Sequence, residues 1–248
     1  MARSELLAVL LVLSGCDLVV GLSGDPRPCG TTAFPAGKGT PIVAADDFSI
    51  DWDQTIAVLS LNGLTSEYRF GDKSQMPIDL GAYVNYGLAL APEGNGLFFT
   101  ASIEPPTLMA AGLEKSAWRT GQRVPQGTYA GTPSADTFGP RRSVVRLDPV
   151  SETAQEFEDQ DGVWVAIGDP HDVPGFVAPN LTPNGLTMVF RGGTADSPGI
   201  FQATRASTDA WFGTPVLVLE GEHRFPQLLG RCSDLYVIDN GTLTRYER

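Results

Sequence analysis

Ten residues from Leu181, LTPNGLTMVF, repeat the layout of ten residues from Leu90, LAPEGNGLFF. A chain that writes one turn and strand twice, 91 residues apart, is assembled from copies of a unit, and this constrains its fold most. In both copies Pro sets φ at the second position of a tight turn and Asn or Glu accepts a local hydrogen bond. Gly then takes the positive φ that releases the chain into the next strand. Weaker copies begin at Ile50 (IDWDQTIAVL), Phe138 (FGPRRSVVRL) and Leu228 (LLGRCSDLYV), so five starts are spaced by 40, 48, 43 and 47 residues.

The segments between these turns are short and apolar or alternating: TIAVLSL, GLFFTAS, SVVRLD, GVWVAIG, TMVFRG, GIFQATR, DLYVID. Gly, Pro, Asn and Asp separate them, and no helical periodicity lasts beyond a turn or two. With 42% hydrophobic residues the chain can bury a sizeable core. Strand-only repeats of this length predict an all-β fold, a β-propeller of about five four-stranded blades over residues 40–248. SAW ending at Trp118 and DAW ending at Trp211 share an offset from the turn, where an outer strand should begin.

A third repeated phrase predicts how the ring closes. GTPVLV (213–218) precedes the last start, and GTPIVA (39–44) precedes the first. The former reads as an outermost strand, so the latter does too, yet no blade precedes it; the last blade, ending TLTRYER, is one strand short. Pro41 to Ala45 is therefore expected beside Thr242 to Glu247, which also removes an exposed edge. That closure carries the N-terminal stretch past Cys232, and a Cys29–Cys232 disulfide is the expected pairing, two free thiols being the alternative.

PNLTPNGLTMVFRGG followed by GIFQATRASTDAWFGTPVLV resembles the TolB-like, or WD-like, β-propeller repeat of bacterial envelope proteins, whose usual turn is Ser-Pro-Asp-Gly. The turn departs from this pattern as DWDQ, GPRR and LGRC. The resemblance implies an interaction scaffold and brings no catalytic residues with it. At the other end, Leu6 to Leu13 is too short to span a bilayer but has the length of a signal-peptide core. LSGC (13–16) resembles the lipobox of bacterial lipoproteins. It implies a signal peptide over 1–15, lipidation of Cys16, and a membrane-anchored position facing the periplasm or the cell exterior. Residues 16–39, rich in Gly, Pro and Thr, read as lipidated Cys and flexible linker.

Charge and motifs narrow the function. A net charge of −12 without any Lys or Arg block argues against nucleic acid. DDFSIDWD (46–53) offers Asp51 and Asp53 as oxygen ligands for a hard cation, but it lacks a Gly-containing ligand loop and reads as a solvated turn. GDPHD (168–172) places His171 between carboxylates, a metal-binding or acid–base combination, within what reads as a connector entering the fourth blade. No Gly-x-Ser-x-Gly elbow or phosphate-binding glycine loop occurs, and no cofactor is implied. Two functions remain. The first is a non-catalytic scaffold binding another envelope protein or a glycan. The alternative is a carbohydrate-active enzyme with Asp47, Glu104 and Asp169 around the channel, recognisable by two carboxylates about 5 to 10 Å apart.

Overall fold

Four copies of the turn join two antiparallel strands in the same register, the copy at Phe138 lying outside the described residues, and the strands form five sheets. The computed structural model describes residues 27–81, 85–90, 94, 96–101, 107–114, 117–123, 142–148, 153–160, 163–173, 175, 177–194 and 197–248. Cys16 with the signal segment, and Glu104, lie outside the described residues. From the inside outward the first sheet is β2 (Asp47–Ile50), β3 (Ile56–Leu61), β4 (Leu64–Arg69) and β5 (Gln75–Pro77). The second is β6 (Asn85–Leu90), β7 (Gly96–Ala101) and β8 (Thr107–Glu114), with β9 (Ala117–Trp118) and β10 (Gln122–Arg123) paired to β8. The third is β11 (Arg142–Asp148), β12 (Thr153–Gln160) and β13 (Val163–Asp172); the fourth is β14 (Val177–Leu181), β15 (Thr187–Thr194), β16 (Ser197–Thr204) and β17 (Val216–Glu220). The fifth combines β18 (His223–Leu229), β19 (Asp234–Asp239) and β20 (Thr242–Glu247) with β1 (Thr40–Ala44).

Innermost strands follow one another around an axis: β14 lies against β18, β18 against β2 and β2 against β6. The chain is a β-propeller. β11 touches β14 as β3 touches β6 and β15 touches β18, a second strand against the next innermost strand. The strands β11 to β13 therefore hold the second, third and outermost positions of the third blade.

The turn register repeats residue for residue. Ile50 pairs with Ala57, Leu90 with Leu97, Leu181 with Met188, and Leu228 with Leu235. Four positions after the starts at Ile50, Leu90, Leu181 and Leu228, residues Gln54, Gly94, Gly185 and Cys232 all have positive φ, at 56°, 70°, 66° and 76°. Conformation is thus kept where the Pro and Gly are not, and side chains supply what those residues would have. Asp51 accepts hydrogen bonds from the amides of Thr55 and Ile56, both at 2.8 Å, and from the Thr55 hydroxyl at 2.5 Å. In the fourth blade Asn184 Oδ1 accepts from the Leu186 amide at 3.0 Å.

Apolar side chains fill the seams between blades. Phe48, Ile50 and Leu59 of the first blade pack with Tyr236, Ile238 and Leu243 of the fifth. Val58 packs with Leu88, Leu97 and Phe99 of the second. The tryptophans at the shared offset both reach back across a seam: Trp118 Nε1 donates to Glu67 of the first blade at 3.0 Å. Trp211 stacks on His171 of the third, ring centroids 3.9 Å apart. Trp118 does lie in a strand, but Trp211 precedes β17 in irregular backbone.

Ring closure follows the repeated phrase. β1 pairs antiparallel with β20, Thr40 opposite Arg245 and Ala44 opposite Thr242. Cys29 and Cys232 are joined, with Cα atoms 5.6 Å apart. Residues 29–39, assigned from sequence to the flexible linker, instead form a strap docked over the seam of blades four and five. Cys29 and Phe34 are buried in its core cluster. The Cys29 amide donates to Thr187 Oγ1 at 2.8 Å, the Phe34 amide to the Val218 carbonyl at 2.7 Å, and Gln202 Nε2 to the Cys29 and Gly30 carbonyls. Composition could not reveal this, because the partners of a Gly-, Pro- and Thr-rich stretch lie over 150 residues away.

Candidate functional site

Polar groups on the axis tie neighbouring blades together. Gln227 accepts from the Ile50 amide at 2.8 Å and donates to the Ile50 carbonyl at 2.7 Å. Ser49 Oγ, one position before its turn start as Gln227 is before Leu228, accepts from the Leu90 amide at 2.7 Å. Three positions before the starts, Gly87, Ala178 and Phe225 share a positive φ, at 64°, 50° and 51°, and each sits at an interruption of the ladder. Asp47 occupies the matching position of the first blade. Its carboxylate accepts from the amides of Phe48 and Gly87 at 2.7 Å and of Leu88 at 3.2 Å. Burial pushes its pKa up to about 6 against these hydrogen bonds, which pull it down. Two voids between these residues hold about 10 Å³ each, room for one water molecule.

Among the described residues, the channel carboxylates nominated from sequence lie on different strands. Asp47 is on the innermost strand of blade one, whereas Asp169 is exposed on β13, the outermost strand of blade three. Asp51 spends both oxygens on its own turn, and Asp53 is exposed beside it. His171 is not in a connector: GDPHD is the end of β13, where Thr153 pairs with Asp172 and Ala154 with His171. Gly168, at φ 63°, absorbs the irregularity that let this strand read as a loop. Among the described residues, no group of three or more His, Cys, Asp or Glu side chains could hold a metal ion.

A different cavity, of about 600 Å³, opens at the seam of blades three and four. Buried Met188, Phe190 and Ala203 of β15 and β16 form its floor; exposed Asp172 and Thr214 stand at its mouth. Trp211, held by the His171 stack, meets Phe212 edge-on at 5.6 Å between ring centroids. The guanidinium of Arg205 lies 4.4 Å from the centre of the Phe212 ring. That guanidinium is fully buried and grips Glu156 of β12 through two bonds of 2.8 and 2.9 Å, with Nε donating to the Gly185 carbonyl at 2.6 Å. Sequence reading missed both the ion pair and the cavity. The shared tryptophan offset was the one signal in the sequence that led toward them.

No family model and no curated protein sequence matches this chain. Solved structures do. A protein described as a putative TolB from Agrobacterium tumefaciens superposes with a TM-score of 0.55 at 13% identity, over 79% of this chain and 69% of that one. TolB from Acinetobacter baumannii gives 0.54 at 10% identity, over 82% of this chain and 54% of its own length. A gluconolactonase from Xanthomonas campestris gives 0.54 at 14%, over 81% and 70%. The likeness is one of fold: a TolB-like β-propeller. Identities this low leave the chemistry to the chain's own residues.

Proposed function

We propose that this protein is a lipid-anchored bacterial envelope propeller that binds a protein or glycan partner and performs no hydrolysis. The observation that carries this reading is the close packing around Asp47 on the innermost strand of blade one. Space for about one water molecule beside Asp47 admits no sugar ring, and the Asp47 carboxylate is engaged by three backbone amides. Asp169 is exposed on β13, the outermost described strand of blade three, whereas Asp47 is on the innermost strand of blade one. The fold is shared with two TolB proteins and with a gluconolactonase alike, so the choice rests on the chain's own residues; the bridged Cys29 and Cys232 favour an oxidising compartment. The anchor is assigned to Cys16 on the lipobox resemblance.

Affinity capture from detergent-solubilised envelopes tests partner and membrane together, with Cys16→Ser expected to move the protein from the membrane to the soluble fraction. Mass spectrometry finding an unmodified Cys16 on the native protein would remove the anchor. Turnover in a glycan and lactone screen that disappears in Asp169→Asn would replace the scaffold by the enzyme.

A further inference from the structure

We propose that the cavity at the seam of blades three and four is a binding site for an organic cation with an apolar body. Its volume of about 600 Å³ is that of a site for a drug-sized ligand. The axial voids, also between blades, hold about 10 Å³ each, so the opening at this seam departs from the packing along the axis.

The lining states the chemistry. Among the described lining residues are four aromatic rings, Phe190, Phe201, Trp211 and Phe212, and one formally charged group, the Asp172 carboxylate. Aromatic faces beside a carboxylate attract a cation whose charge is spread over an apolar body, and the carboxylate repels an anion. The net charge of −12 acts in the same direction at longer range. A sugar would need several convergent hydrogen-bonding side chains; the described lining supplies the Asp172 carboxylate, the Thr214 hydroxyl and the Trp211 indole N–H amid a mostly apolar wall.

The walls are fixed before any ligand arrives. Trp211 is sandwiched onto His171 with the rings 10° from parallel. Phe190 and Phe201 lie 6.0 Å apart at 19°. Phe212 is backed by Arg205, whose own charge is neutralised by Glu156 and so does not repel a cation. Side chains held this way lose little freedom on binding, which favours affinity.

Tetraphenylphosphonium and tetraphenylborate have the same shape and opposite charge, and titration calorimetry of the whole protein at physiological salt compares them directly. The phosphonium is expected to bind at one site, about tenfold or more tighter than the borate. Asp172→Lys, at an exposed position that does not threaten folding, is expected to reverse that order, and Trp211→Leu to weaken the phosphonium about tenfold. The inference is overturned if the phosphonium shows no saturable binding, if both ions bind equally, or if neither variant changes its affinity. Capture of an envelope partner is a separate readout. A partner retained by Trp211→Leu while the phosphonium fails to bind the parent protein would leave the scaffold standing without this site.

Discussion

Removing the Cys29–Cys232 bridge should cost the protein much of its stability without changing its fold. The bridged residues are 203 apart, and the chain-entropy relation for a loop of that length gives about 5 kcal/mol at 25 °C. Replacing both by Ala adds a small cavity at buried Cys29, on the order of 1 kcal/mol. The folded ring remains closed by β1 on β20 and by the strap's hydrogen bonds, so the change falls mainly on the unfolded chain. The double variant Cys29→Ala/Cys232→Ala is therefore expected to lose about 3 to 6 kcal/mol in urea unfolding followed by tryptophan fluorescence. Its m value should rise, because a denatured chain freed from a 203-residue cross-link exposes more surface. A loss below about 1 kcal/mol, or a full loss at unchanged m, would refute the argument that the bridge acts through the unfolded state.

Asp47 makes stability depend on pH in a defined direction. Its folded pKa of about 6 lies above the ordinary 3.8, so between pH 4 and 6 the folded chain holds more protons than the unfolded one. This residue's contribution therefore falls by about 2 to 3 kcal/mol as pH rises through that window. Urea unfolding from pH 4 to 7 should show that slope in the parent and not in Asp47→Asn; identical slopes would remove the assignment. Glu156→Gln leaves the Arg205 guanidinium buried without its counterion and should cost about 3 to 5 kcal/mol. The double change Glu156→Met/Arg205→Met should cost less than Glu156→Gln alone in the same denaturation assay, and an equal or larger loss would argue against a buried-charge penalty. At Gly39 an added Cβ would fall 2.5 Å from Thr244 Cγ2 and 2.6 Å from the buried Tyr246 ring. Gly39→Val should lift the strap, lower stability by about 1 to 3 kcal/mol and speed tryptic cleavage after Lys38, whose backbone the docked strap now holds in place; unchanged proteolysis would count against that docking.

What the amino-acid sequence determined by itself is what local chemistry can encode. A turn needing a positive φ at one fixed position recurs at Gly94 and Gly185, and the strands it launches alternate or run apolar, so the repeat and the all-β class are readable. Closure was readable as well, because GTPIVA repeats the text of an outer strand that has no blade before it. Even here Gln54 and Cys232 adopt the glycine conformation without announcing it, since Asp51 holds the first turn by its own side chain and the Cys29 bridge holds the last from outside the motif. Only the tertiary structure decided which polar groups are spent and which are free. Asp47 looked like a channel carboxylate until the ring laid the amides of Gly87 and Leu88 on it from 40 residues away. Arg205 and Glu156, 49 residues apart, share no local pattern, and His171 reads as a connector until Trp211 stacks on it from the next blade. A cavity at a blade seam belongs to neither blade's sequence, because its shape is set by how far two sheets fail to interlock, and that distance exists only once the ring has closed.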